Sequence, residues 1–447
     1  MQKNEILSMT CDSLGSNLEG VCHYDGQAVF VPGLLPGETA QVRIVKVLQR
    51  FAYGITVSSS LSSKDRREND CPAYPQCGGC SARHMSYAAT LAAKQAQVQQ
   101  CFHSIAHIDT PVEPVIGMSN PFHYRNKSSF PISGTRNDPA LGFYAPRSHR
   151  LIPIRSCPNA MEPTDAICDT FLSWMRKYHL EPYCEENHRG LLRHLVIRVN
   201  RKHESMVTLV ATSDMVPHLD DLQTAFSPLG VTSLIVNVNS KDTNVILGDR
   251  YLPAYGPGVL QDELLGLSFD LSPASFFQVN VLQAEQVYSK ALEFAQLQPD
   301  DTAFDVYCGT GTISLSLAKH CRRVIGIEVV PQAIDNAKLN AEHNGLHNTV
   351  FHVGKAEDLL PSLVKEETAN VIVVDPPRKG LEPIVIDAIC AAGPDRLVYV
   401  SCNPATLARD VALIVKNGYT LSKVQPVDMF CWTKDVETVV LLSKGNI

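Results

Sequence analysis

Hydrophobic and polar positions follow two rhythms along this chain. The N-terminal part reads in short alternating runs. Gln27-Ala28-Val29-Phe30-Val31 is closed by Pro32-Gly33 and Pro36-Gly37, Thr39 to Val47 alternates residue by residue, and Phe51 to Val57 follows. Period-two alternation punctuated by Gly/Pro turns predicts half-buried strands. Several such strands over residues 1–60 predict a small OB-like β-barrel, a frequent nucleic-acid platform. Residues 59–70, Ser-rich and then charged, read as a linker. Residues 81–108 contain neither Pro nor Gly and predict one long helix. The region from about 110 to 270 mixes strands, near 191–199 and 205–212, with Pro- and Gly-rich loops, which predicts a mixed α+β central domain.

From about residue 272 the rhythm becomes β/α. Ala303–Val306, Arg323–Ile327, Val350–Val353, Val371–Val374 and Leu397–Val400 are continuous apolar runs of the kind buried on both faces. Helical segments separate them, one opening at Pro331 and stopping near His343 before Gly345. This alternation predicts a doubly wound, mostly parallel Rossmann-like α/β sheet. The expected domains are therefore 1–60, 61–270 and 271–447, with the 81–108 helix packing on the last.

Composition narrows the class. No apolar run approaches the ~20 residues of a membrane span, and the start MQKNEILSMT has no signal-peptide pattern, so a cytoplasmic protein is expected. The formal net charge is −7, the wrong sign for a chain whose whole surface attracts nucleic acid. Binding then falls to local patches, of which two are visible: Arg189, Arg193, His194, Arg198, Arg201 and Lys202, and Arg147, Arg150 and Arg155. The 14 cysteines, without a secretory signal, point to metal ligation or catalysis rather than disulfides.

Three stretches carry chemistry. The first strand runs into Asp305-Val306-Tyr307-Cys308-Gly309-Thr310-Gly311-Thr312. Gly309 and Gly311 permit a tight turn and a close ligand approach. Glu328, 17 residues beyond Gly311, ends the next strand, where a carboxylate can accept both hydroxyls of a ribose. Ser314 stands at the third glycine position of the dinucleotide fingerprint, which favours S-adenosylmethionine over NAD. The fourth strand ends in Asp375-Pro376-Pro377-Arg378 and the fifth in Ser401-Cys402-Asn403-Pro404. A Cys between a strand end and a helix N-terminus is placed to be a thiolate. Such a nucleophile is needed where a methyl goes to carbon 5 of a uracil, because that carbon attacks only after a thiolate has added at carbon 6. Glu437, opening the apolar run Val436–Leu442, is the candidate base for the carbon 5 proton. Finally Cys71, Cys77 and Cys80, with a distant Cys157 followed by Pro158, are spaced to wrap one metal centre, iron–sulfur or zinc.

The chain resembles the bacterial RNA uracil-5-methyltransferases that carry a TRAM barrel and a four-iron four-sulfur cluster, most closely the 23S rRNA branch. The resemblance spans nearly the whole chain. Its most specific pieces are Ser272 to Asn280 (SPASFFQVN), the glycine loop, the Asp375–Arg378 turn and Ser401 to Asp410 (SCNPATLARD). It implies that Gln278, Tyr307, Glu328 and Asp375 contact S-adenosylmethionine, with Gly309 and Gly311 in the cofactor loop. It further implies that Cys402 is the nucleophile, Glu437 the base, and that Cys71, Cys77, Cys80 and Cys157 hold a [4Fe-4S] cluster. Tyr307 replaces a Phe common in the family. The expected partner is RNA, 23S rRNA or else the tRNA T-loop, and the expected state a monomer. An amino-methyltransferase also uses an acid-Pro-Pro turn, but it needs an aromatic residue where this chain has Arg378. A non-catalytic iron–sulfur RNA-binding module would have no use for an intact glycine loop, Cys402 and Glu437.

Overall fold

In the computed structural model, which describes residues 1–60 and 62–444, the N-terminal alternation closes on itself. Strands Ile6–Leu14, Gly20–Tyr24, Gln27–Val31, Phe51–Ser60 and Thr39–Val47 pair in that order around a closed barrel. Their inward positions, among them Met9, Cys22, Val29, Val42 and Ile44, fill it. The first two strands, Ile6–Leu14 and Gly20–Tyr24, are not among those read from the sequence. Of the expected linker 59–70, Leu61 lies outside the described residues. The rest is not a free tether, because Arg66 donates to both carboxylate oxygens of the fully buried Glu38 and to the Gly33 carbonyl.

The middle of the chain folds on a seven-stranded sheet in the order Arg250–Tyr255, Val231–Val238, Ser205–Ala211, Leu192–Val199, Lys127–Gly134, Pro139–Tyr144, Leu151–Pro153. Phe171 and Trp174 of helix Thr164–Lys177, with Leu222 and Phe226 of helix Leu219–Phe226, cover one face. Every residue of Leu192–Val199 is buried, which takes Arg193, His194 and Arg198 out of the first basic run as a surface patch, while Arg189, Arg201 and Lys202 stay exposed. Arg193 donates to the carbonyls of Asn239 and Lys241. Arg198 donates to the carbonyl of Ser275, so this cation joins the sheet to the next domain.

The third sheet runs Thr349–Val353, Arg323–Glu328, Thr302–Val306, Val371–Val374, Arg396–Ser401, Glu437–Lys444, Tyr419–Val427. The first five strands are parallel, and Glu437–Lys444 is antiparallel to both neighbours. Apolar cores lie on its two faces. The hairpin Leu260–Leu264/Leu267–Leu271 contributes Leu264, Leu267, Phe269 and Leu271 to one core, so that core recruits chain before residue 271. Val98 and Phe102 join the other. The helix carrying Val98 is shorter than 81–108. It spans Tyr87–Cys101, with the Ser86 side chain capping it, and runs into a single π turn over Phe102–Ala106. Residues 81–85 are held instead as a loop, by the carbonyl of Trp432. Among the described residues no helix is long and apolar enough to cross a membrane.

Candidate active site

Ligands of open parallel sheets bind beyond the carboxyl ends of the strands. Here four neighbouring ends carry Tyr307, Asp375, Cys402 and Glu437. The backbone N–H of Asp375 donates to the Val306 carbonyl at 3.3 Å, which keeps the first two ends side by side. Ser401 pairs with Thr438 in antiparallel register, so the next positions, Cys402 and Glu437, face each other.

The glycine loop has the conformations its glycines allow. Gly309 and Gly311 sit at φ +54° and +86°. A Cβ on Gly309 would meet nothing within 4 Å, so this glycine leaves open space above the loop. Tyr307 also lies at positive φ, its ring packed on the core beneath. The Gly309 and Val330 N–H groups donate to the two oxygens of Glu328, at 3.3 and 2.9 Å, which fixes that carboxylate at the loop's edge. Gln278 anchors the other wall through its carbonyl, which accepts from Asn126 at 3.0 Å.

The turn that carries Cys402 is braced from both sides. The N–H of Asn403 donates to the Ser401 hydroxyl, and the Asn403 side chain caps the following helix Pro404–Lys416. The Arg378 carbonyl accepts from Asn403 and Thr406. Buried Asp410 accepts from the Leu381 N–H and from Tyr399 Oη, both at 2.8 Å, so the Asp375–Leu381 loop is clamped to the helix that Cys402 precedes.

Electrostatics correct one expectation. Burial, the Glu437 carboxylate and Asp375 push the Cys402 thiol up to about 11, with Arg378 pulling the other way, so the resting residue is a thiol rather than a thiolate. Glu437, 4% exposed, is raised well above the carboxylate range by burial and by Asp375. Asp375 is pushed up to about 7 by burial and by Asp305. These groups suppress one another's charge, the condition under which acid–base residues become poised.

Two residues here were not legible in the sequence. Tyr288, buried on helix Val281–Ala295, accepts from the Thr312 hydroxyl at 3.4 Å and feels the charges of Asp375 and Glu437. It sits in an ordinary amphipathic helix that gives no signal. Asp305 is buried, accepts from the Ser314 hydroxyl at 2.5 Å, and leaves its second oxygen without a partner. The signal for Asp305 was an acid inside an otherwise apolar strand.

Cys71, Cys77, Cys80 and Cys157 line one cavity of about 900 Å³ with Tyr74, Arg83, Arg125, Lys127, Tyr144 and Arg147. Among the described residues no three side chains stand at metal-ligating spacing. Donors nonetheless point at the sulfurs: the Gly79 N–H at Cys77 Sγ and Asn159 Nδ2 at Cys80 Sγ, each at 3.4 Å, with the Arg83 guanidinium beside Cys80. This donor set suits an anionic, thiolate-held group.

Comparison with known proteins places the chain. Residues 86–445 match the tRNA (uracil-5-)-methyltransferase family and residues 4–57 the TRAM domain. An uncharacterized RNA methyltransferase of Halalkalibacterium halodurans is 42% identical over 451 residues, covering 100% of this chain and 98% of the relative. Another, of Clostridium tetani, is 40% identical over 447 residues, covering 99% and 97%. The Pyrococcus abyssi tRNA (uracil-54, C5)-methyltransferase, solved with S-adenosyl-L-homocysteine, superposes with a TM-score of 0.81 at 26% identity, covering 97% of this chain and 99% of that one. With its barrel, its methyltransferase sheet and these matches over nearly its full length, the chain belongs to the RNA uracil-5-methyltransferase family, as an S-adenosylmethionine-dependent enzyme with an N-terminal TRAM domain.

Proposed function

We propose that this enzyme methylates carbon 5 of a uracil in 23S rRNA, with Cys402 as nucleophile and Glu437 as base. The observation that carries the reading is the register of Glu437–Lys444 against Arg396–Ser401, which sets the acid opposite the thiol at the mouth of the cofactor loop. Gln278, Tyr307, Gly309, Gly311, Glu328 and Asp375 hold S-adenosylmethionine, which supplies a methyl group on a sulfonium.

The chemistry of carbon 5 gives an order of events. Cys402 gives up its proton to solvent as its sulfur bonds to carbon 6, and the electrons displaced onto carbon 5 take the methyl from the sulfonium, leaving S-adenosylhomocysteine. Glu437, held protonated by burial and by Asp375, then loses its own proton to solvent, which Arg378 favours. Ionised Glu437 removes the carbon 5 proton, the carbon 5–carbon 6 double bond re-forms, and the bond from carbon 6 to sulfur breaks. Arg378, beside both groups, favours each anion in turn.

Carbon 6 is hidden in stacked RNA, so the base must leave the stack at a cost of a few kcal/mol. Residues 1–60 serve as an RNA-binding barrel, residues 61–270 as a domain with Cys71, Cys77, Cys80 and Cys157 around a [4Fe-4S] cluster, and residues 271–447 as the methyltransferase. The enzyme acts as a cytoplasmic monomer. A second reading, the tRNA T-loop, is favoured by the likeness to the Pyrococcus abyssi tRNA enzyme. Methylating separate 23S rRNA and tRNA transcripts and mapping the product decides between them. Label confined to 23S rRNA supports the first, label at the T-loop the second, and 5-methyluridine in neither overturns both.

A further inference from the structure

The loop between strands Tyr419–Val427 and Glu437–Lys444 is pinned on every side. Fully buried Asp428 pairs with fully buried Lys94 and accepts from Tyr87 Oη. The Met429 carbonyl accepts from Asn280, that of Phe430 from Lys94, and that of Cys431 from Tyr124. Trp432 stands at the centre. It is 2% exposed, with φ +64°, a left-handed backbone that an aromatic residue keeps only when its surroundings fix it. Its carbonyl accepts the N–H groups of Ser81 and Ala82, both at 3.0 Å, and its indole N–H donates to the Pro121 carbonyl at 2.9 Å. The guanidinium carbons of Arg67 and Arg83 lie 4.6 and 5.6 Å from its ring, and Arg83 also donates to Asn159, which donates to Cys80. Five residues further on, the chain enters the sheet at Glu437.

Resting on the reading of Glu437 as base, we infer that Trp432 is a positioning residue, fixing where the Glu437 strand begins by locking the preceding loop to the Ser81–Arg83 segment, whose Arg83 lines the cysteine cavity. The step that needs Glu437 in register is loss of the carbon 5 proton. Formation of the sulfur bond to carbon 6 and methyl transfer precede it and use Cys402 and the cofactor. A displaced Glu437 therefore has a signature that general loosening of the fold lacks: the enzyme stalls as a covalent adduct on ordinary, unfluorinated RNA.

The test uses the full chain with S-adenosylmethionine and the uridine transcript it methylates, and compares wild type, Glu437→Gln, Trp432→Leu and Trp432→Phe. Adduct is read on denaturing gels, beside turnover, KM for S-adenosylmethionine and melting temperature. Glu437→Gln accumulates adduct. Trp432→Leu also accumulates it, with turnover down about tenfold and KM within about twofold, since small misplacements of a catalytic group cost rate rather than binding. Trp432→Phe, which keeps a ring but loses the indole N–H, falls between Leu and wild type. A folded Trp432→Leu with no more adduct than wild type, or with its loss confined to KM, overturns the inference. If the Leu variant does not fold, the Phe variant decides, and adduct at the wild-type level overturns it. A Glu437→Gln variant that keeps turnover, or loses it without accumulating adduct, sinks the assignment of Glu437 itself.

Discussion

Lys94 and Asp428, 334 residues apart in sequence, form an ion pair with neither side chain exposed. A pair so placed contributes little net stability when intact, yet removing one partner strands the other charge without water. Lys94→Met leaves Asp428 with Tyr87 Oη as its remaining side-chain donor, at 2.7 Å, and takes a donor from the Phe430 carbonyl. The expected cost is ~3–5 kcal/mol. At roughly 2–4 °C per kcal/mol for a domain of this size, melting should fall by ~6–20 °C. Adding Asp428→Asn removes the stranded charge and keeps an acceptor for Tyr87, so the double variant should melt above Lys94→Met. Thermal melts followed by circular dichroism, over wild type, both singles and the double, give the coupling directly. A drop under ~2 °C for Lys94→Met, or losses that simply add, would refute the argument that this pair is a desolvated link between the Tyr87–Cys101 helix and the loop before Glu437.

Other outcomes follow from single contacts. Gly309→Ala should fold, since its Cβ meets nothing within 4 Å and the left-handed backbone costs only ~1–2 kcal/mol. Affinity for S-adenosylhomocysteine by calorimetry should fall about tenfold or more, and unchanged affinity would remove the loop from the cofactor site. Burial, opposed by Ser314, pushes Asp305 up to about 7. A raised carboxyl adds stability that is complete below its unfolded value of ~3.9 and lost as pH climbs through the folded value. Asp305→Asn should therefore melt close to wild type at low pH and above it in alkali, and no pH-dependent gap contradicts the placement. Cys77→Ser should lower iron and labile sulfide per chain, and an as-isolated wild type with zinc but no iron would replace the cluster reading.

What could be read from the sequence divides by range. The parallel strands were visible because burial on both faces leaves continuous apolar runs, as at Val371–Val374. Cys402 and Glu437 could be named as types at strand ends, yet their opposition depends on an antiparallel register that no local signal encodes. Arg193, His194 and Arg198 read as a basic surface because their strand's burial comes from helices and a loop far away in the chain. Residues 81–86 have helix-forming composition, and the Trp432 carbonyl holds Ser81 and Ala82 out of the helix. The thiolate expected of Cys402 from its helix position failed because burial, together with Glu437 and Asp375, which are invisible as neighbours, outweighs that position.

The central claim is that Cys402 bonds to carbon 6 of the target uracil. RNA carrying 5-fluorouridine blocks the last step, because the carbon 5 proton, whose removal is proposed for Glu437, is replaced by fluorine. Incubated with this RNA and S-adenosylmethionine, the wild type should form an adduct stable on a denaturing gel, with the RNA mapped by mass spectrometry to the peptide bearing Cys402, and Cys402→Ala should form none. An adduct on another residue, or methylation that survives Cys402→Ala, contradicts the account.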